Sequence, residues 1–293
     1  MASFPTTGPI RLIVDLSVGD VTIAASERRD ATVDVRPRST ARAGDARAAE
    51  GTTIDFRADM LVVRAPKARL SSLLGFGRGD AVDVTVALPV GSHVEVETMM
   101  GTVRINGRIG DGRVRTGDGP VRLDEAASLI VDTGRGDVTA RDIAGRAEVS
   151  TGMGSIRIGG IAGSATIKNS HGGIEVGSVG ADLRLSASHG EIVLGRSEGE
   201  VVAKTAYGSI RADEVALGSV QLETAYGQIE VGIRAGTSAF VDAHTAYGRV
   251  RNMLSADDAA PPTGATAEVR ARTAYGDITI RRIAGRAPKG QSR

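Results

Sequence analysis

The chain has 293 residues, with 36 Lys and Arg against 35 Asp and Glu. A formal net charge of +1 carries no global bias toward nucleic acid or an anionic membrane, and the absence of cysteine excludes disulfides and thiolate-bound metals. Hydrophobic residues at 41% provide for a core, but aromatics at 3% and 39 glycines favour thin layers of Val, Ile, Leu and Ala over a thick interior.

Met1-Ala2-Ser3-Phe4-Pro5 lacks the basic and apolar regions of a secretory leader. No run approaches the ~18 apolar residues of a spanning helix. The expectation is a cytoplasmic protein without a transmembrane segment. Alternating runs then predict strands at Ile10–Leu16, Val21–Ile23, Ala31–Val35, Thr52–Arg57, Met60–Ala65, Val82–Leu88 and His93–Thr98, with a hairpin turn at Ala58-Asp59. The breaks at Pro37–Gly51 and Lys67–Gly79 read as loops. The second holds Leu70, Leu73, Leu74 and Phe76, which read as core tucked under the cap or as a patch that meets a partner or a membrane. Residues 1–97 are expected to cap the remainder of the chain, although Gly19-Asp20-Val21-Thr22-Ile23 already carries the phrase that recurs later.

From Gly101 onward a glycine followed two and four residues later by aliphatics recurs at Gly119, Gly136, Gly154, Gly172, Gly190, Gly208, Gly227, Gly248 and Gly276. The steps are 18, 17, 18, 18, 18, 18, 19, 21 and 28 residues. Aliphatic pairs such as Val103/Ile105, Ile156/Ile158 and Ile229/Val231 follow each marker, and second alternating runs such as Leu183/Leu185/Ala187 precede the next. A unit of ~18 residues with two short strands is too short for a strand–helix–strand crossover. Hairpins would not need the same turn at one fixed phase, whereas a parallel solenoid stacks equivalent residues ~4.8 Å apart. The predicted fold is therefore all-β: a single-stranded parallel β-helix over residues 98–283 with an N-terminal β cap. The steps of 21 and 28 read as insertions, the larger containing Asp257-Asp258-Ala259-Ala260-Pro261-Pro262, and residues 284–293 read as a disordered basic tail.

Stacking would line up the residue before each marker: Met100, Asp118, Arg135, Met153, His171, His189, Tyr207, Tyr226, Tyr247, Tyr275. All four tyrosines fall here, each within Thr-Ala-Tyr-Gly. They are candidates either for a binding strip or for a ladder that stabilises the solenoid. His171 and His189 would be neighbours, but no third ligand is placed beside them, so no metal is expected. An outward column, Arg104, Arg122, Thr139, Arg157, Glu175, Val193, Arg211, Glu230, Arg251, Thr279, alternates in sign at Arg211–Glu230–Arg251 and starts near a cluster with Arg108, Arg113 and Arg115. Without interleaved aromatics that cluster reads as a solvated face, and no nucleic-acid partner is expected. Arg78-Gly79-Asp80 and Arg135-Gly136-Asp137 follow from composition and register. No nucleophile–base–acid set or phosphate-cradling loop emerges, so neither an enzyme nor a cofactor is expected.

The phrase aliphatic-x-Thr/Ser-x-x-Gly-Asp/Ser-Ile/Val-x-aliphatic, seen at Thr133–Ala140, Thr151–Ile158, Thr205–Ala212 and Thr273–Ile280 after the lead-in Pro89-Val90-Gly91-Ser92-His93-Val94, resembles the domain of unknown function 4097 family, also called toast-rack or "putative adhesin". The resemblance implies a β-strand-repeat solenoid with no established enzymatic activity. Its relatives are often membrane-attached and linked with envelope-stress systems, whereas this chain shows no leader or anchor pattern. The functional expectation is a non-enzymatic interaction module for a protein or envelope-associated partner. The alternative is a self-assembling, cytoskeletal-type scaffold.

Overall fold

A computed structural model describes residues 1–66, 80–254 and 266–283. The expectations for Leu70, Leu73, Leu74 and Phe76, for residues 257–262 and for residues 284–293 lie outside the described residues. The fold is a parallel β-solenoid, and the chain forms two compact units, residues 1–161 and 162–293.

In the first unit one sheet collects the strands that run into each marker glycine. Its order is β5 (Thr53–Arg57), β6 (Met60–Arg64), β2 (Arg11–Val18), β8 (His93–Met100), the second halves of β9 (Val103–Asp118) and β10 (Val121–Arg135), then β12 (Ala147–Met153). A second sheet collects the strands that leave the markers: β1 (Ala2–Pro5), β4 (Asp30–Pro37), β7 (Val82–Pro89), β3 (Val21–Ser26), the first halves of β9 and β10, β11 (Val138–Ile143) and β13 (Ile156–Ile161). Every coil-to-coil pairing is parallel. Among the described residues antiparallel pairing is confined to β5 on β6, β4 on β7 and β1 on β4, which cover the outermost coil. That coil, β6 with β7, comes later in the chain than the β2–β3 coil it lies against. Its inward Leu61, Val63, Val84 and Val86 are all buried.

Two expectations for the first unit are corrected. Residues 43–50 of the first predicted loop form the helix α1 (Ala43–Glu50), and its buried Asp45 carboxylate accepts the N–H of Ser39 and of Ala81, both at 3.0 Å. Strands β9 and β10 run 16 and 15 residues without a break, because the corner between their two halves is bridged by a register shift between Leu123 and Glu125 and not by a turn. Among the described residues no helix is long and apolar enough to cross a membrane.

The second unit repeats the plan. Its incoming sheet runs β14 (Ala165–His171), β16 (Leu183–His189), β18 (Val201–Tyr207), β20 (Gly218–Tyr226), β24 (Thr266–Tyr275), β22 (Ser238–Tyr247). Its outgoing sheet runs β15 (Ile174–Val179), β17 (Ile192–Ser197), β19 (Ile210–Val215), β21 (Ile229–Arg234), β25 (Ile278–Ile283), β23 (Val250–Asn252). The coil β24–β25 is thus inserted between β20–β21 and β22–β23, so the coils do not stack in chain order. The predicted neighbours Glu230 and Arg251 are separated by Thr279, and Arg211 pairs its charge with Asp213 at 3.0 Å within its own strand.

The repeated phrase now has a physical reading. The marker N–H donates to the carbonyl of the residue before the next marker, as in Gly119 to Arg135 (2.7 Å) and Gly208 to Tyr226 (2.9 Å). Gly208 has φ +152°, and a Cβ there would sit 2.0 Å from the Gly190 carbonyl oxygen, so only glycine fits both the backbone and the space. Three residues earlier, buried threonine hydroxyls donate to the marker carbonyl of the adjacent coil: Thr151 to Gly136 (3.2 Å), Thr224 to Gly208 (2.9 Å), Thr273 to Gly227 (3.1 Å). One residue after the marker, carboxylates accept the N–H of the matching residue in the neighbouring coil, as Asp20 does from Thr102 and Asp137 from Ser155, both at 2.8 Å. Burial alone would raise the Asp20 pKa; the Thr102 N–H and the Arg38 guanidinium together outweigh it and hold that carboxyl below its ordinary value.

Candidate functional site

The incoming strands of the second unit end on the column before the markers, and strand register alone sets its order. His171 lies opposite His189, His189 opposite Tyr207, Tyr207 opposite Tyr226, and Tyr275 between Tyr226 and Tyr247. The expected succession of Tyr226, Tyr247 and Tyr275 is corrected by the inserted coil. Ring centroids are 4.9, 4.9, 5.0, 4.8 and 4.8 Å apart along the ladder, with interplanar angles of 1–9°. Aromatic pairs left to themselves prefer offset or edge-to-face contact. Here the inter-strand spacing of ~4.8 Å rules out the edge-to-face form and holds them parallel, one above the next.

This geometry decides what the strip offers. Interior rings have both faces covered, so Tyr207, Tyr226 and Tyr275 are about half exposed, at 51%, 47% and 46%, through their edges and hydroxyls. Tyr247 ends the ladder with one face free and is 67% exposed. A ligand cannot slide between the rungs; it meets a row of ring edges and phenol oxygens. Beside the ladder, Ala206, Ala225, Ala274 and Ala246 floor a shallow groove of about 570 Å³. Lys204, Glu223 and Arg272 line its side, with Lys204–Glu223 paired at 2.8 Å and Arg272–Asp242 at 3.5 Å.

The imidazoles of His171 and His189 lie parallel, with ring centroids 4.9 Å apart and an interplanar angle of 2°. Among the described residues no three His, Asp or Glu gather in a way that would hold a metal.

In the first unit the same column carries Met100, Asp118, Arg135 and Met153 in place of rings, with Arg135 and Asp118 paired at 3.3 Å. The predicted arginine cluster is divided. Arg104 and Arg122 stand opposite each other in the outgoing sheet, while Arg113 and Arg115 lie in the incoming sheet against Glu95 and Glu97. A further cluster, unremarked in the sequence, joins His93, Asp111 and Ser128. The Ser128 hydroxyl donates to Asp111 Oδ1 (2.5 Å), and the Asp111 N–H donates to His93 Nδ1 (3.1 Å). The hydroxyl is thus bonded to the carboxylate and not to the imidazole, the reverse of what an activated serine requires. These residues lie 17 and 18 positions apart, so the repeat period was the available signal.

A family model described as Toastrack DUF4097 matches residues 11–281. No curated protein matches the sequence. Among solved structures, a "putative adhesin" from Bacteroides fragilis NCTC 9343 aligns at 12% identity and TM-score 0.37, covering 96% of this chain and 95% of that one. A "putative cell adhesion protein" from Clostridium sporogenes ATCC 15579 aligns at 9% identity and TM-score 0.21, covering 96% and 98%. A "putative adhesin" from Parabacteroides distasonis ATCC 8503 aligns at 11% identity and TM-score 0.24, covering 96% and 95%.

Proposed function

The chain belongs to the Toastrack DUF4097 family, and from that premise we propose that it is a non-catalytic binding scaffold whose second unit presents the ring ladder and its alanine-floored groove to a protein or envelope-associated partner. One observation carries this reading: six planar side chains are held in register on the surface, with about half or more of each tyrosine left to solvent. A ladder serving stability alone has no need of exposed hydroxyls. The rung spacing equals the inter-strand spacing of any β-sheet, so a β-rich partner can match it rung for rung over several contacts. Ring edges and phenol hydroxyls supply amphipathic contact at low side-chain entropy cost, as tyrosine does in protein interfaces.

The test is retention of envelope extract on immobilised chain, compared with Tyr207→Ala and with Lys204→Glu in the groove wall. Saturable retention of one component, lost in both variants, is expected. Retention that never saturates, or that is indifferent to both changes, overturns the reading.

A further inference from the structure

Among the described residues the outermost coil of the second unit is open. Strand β22 pairs only with β24, and β23 only with β25, among the described residues. Its inward Ala239, Val241 and Ala243 are only half-buried, whereas their counterparts Ala267, Val269 and Ala271 one coil in are wholly buried. Phe240, Tyr247, Val250 and Met253 are exposed around it. A row of unpaired strand backbone templates pairing with another chain, and the unclosed apolar end beside it gains by being covered. The first unit shows how this fold closes such a coil: antiparallel strands lie along it and its core residues become fully buried.

We infer that the β22–β23 edge is where a second copy of this chain docks, antiparallel about a two-fold axis at Ala243. The register follows from the side chains. Inward residues must face inward residues, so in an antiparallel pair the axis passes through a residue and not between two. An axis at Asp242 sets Asp242 against itself, and one at His244 sets His244 against itself. An axis at Ala243 sets Asp242 against the partner's His244 twice, the larger Phe240 against the small Ala246, and Val241 against Thr245. In that pairing the His244 imidazole donates to the Asp242 carboxylate of the other copy. Arg270 and Arg272 of the neighbouring strand face the same pair from within each chain. The contact is isologous, so it uses up the edge on both copies and closes as a dimer.

The experiment is sedimentation velocity of the full chain across a hundredfold concentration range, read as mass against the 30.2 kDa of one copy. A concentration-dependent dimer is expected. His244→Glu, which sets Glu against Asp242, weakens it by about tenfold or more. Asp242→Lys with His244→Glu, which restores an opposite pair, returns affinity to within about threefold of the natural chain. Phe240→Asp, at a side chain 67% exposed, dissociates the dimer with the circular dichroism spectrum unchanged. Tyr207→Ala leaves the dimer intact, which separates this edge from the binding strip. A monomer throughout, a dimer indifferent to His244→Glu and Phe240→Asp, or a mass that keeps growing beyond two copies overturns the inference.

Discussion

Replacing Gly208 by alanine tests the stacking directly. The added Cβ would stand 2.0 Å from the carbonyl oxygen and 2.5 Å from the carbonyl carbon of Gly190, against an ordinary contact of ~3.5 Å. The coils must part locally by more than 1 Å. The neighbouring bonds Gly190 N–H to Tyr207 (2.8 Å) and Ile192 N–H to Ser209 (2.9 Å) then stretch beyond useful length. Two lost hydrogen bonds cost about 2 kcal/mol, and alanine at φ +152° adds about 1–3 kcal/mol. The expected loss is about 3–5 kcal/mol, or a fall in Tm of ~6 °C or more for a unit of this size. Gly236→Ala is the control: its φ is +81°, but no atom lies within 4 Å of the place its Cβ would take, so it carries backbone strain alone, about 1–2 kcal/mol. Urea unfolding followed by circular dichroism compares the two. If Gly208→Ala costs no more than Gly236→Ala, the single file of marker glycines is not what holds the coils together.

Thr224→Val removes the hydroxyl bonded to Gly208 at constant shape and lowers stability by about 1 kcal/mol in urea titration. Thr133→Val, at a buried hydroxyl without a hydrogen-bond partner, leaves it unchanged or raises it. Tyr226→Ala removes two ring contacts of ~0.5–1.5 kcal/mol each, whereas Tyr247→Ala at the ladder's end removes one. The cost of the first in thermal melts is therefore about twice that of the second. The depressed pKa of Asp20 means that its contribution is present at neutral pH and lost as pH falls through the folded value. Asp20→Asn thus lowers Tm at pH 7, and the gap to the natural chain closes below about pH 4, near the unfolded carboxyl pKa.

Most of the architecture was legible because a solenoid writes its geometry as a period. The step from Gly190 to Gly208 is the vertical step between coils, so the ring column could be drawn before any coordinates. The placement of Tyr275 was not legible. Thr-Ala-Tyr-Gly fits equally well against any neighbour carrying the same four residues, so local pattern cannot distinguish a coil added last from one slipped in between. The β6–β7 coil was hidden for the opposite reason: its junction spans a long insertion and carries no marker phrase. Residues 43–50 escaped because Gly44 and a weak apolar stripe obscure the helix, which is held by Asp45 reaching Ala81, a contact across 36 positions. The division of the arginine cluster was missed because nearness in sequence says nothing about which of two sheets a strand joins.

The inserted coil also constrains how the second unit can be made. Residues 238–252 leave the ribosome before residues 266–283, yet in the finished molecule the later segment occupies the slot between them and residues 218–234. Growth by simple accretion would seat Tyr247 on Tyr226 at once, in a register the four shared residues make nearly as comfortable, and would shut the slot. Either β22–β23 waits undocked until β24–β25 has seated on β20–β21, or a premature seating of Tyr247 on Tyr226 has to be undone, and an apolar edge left waiting in this way is open to mispairing with a neighbouring chain.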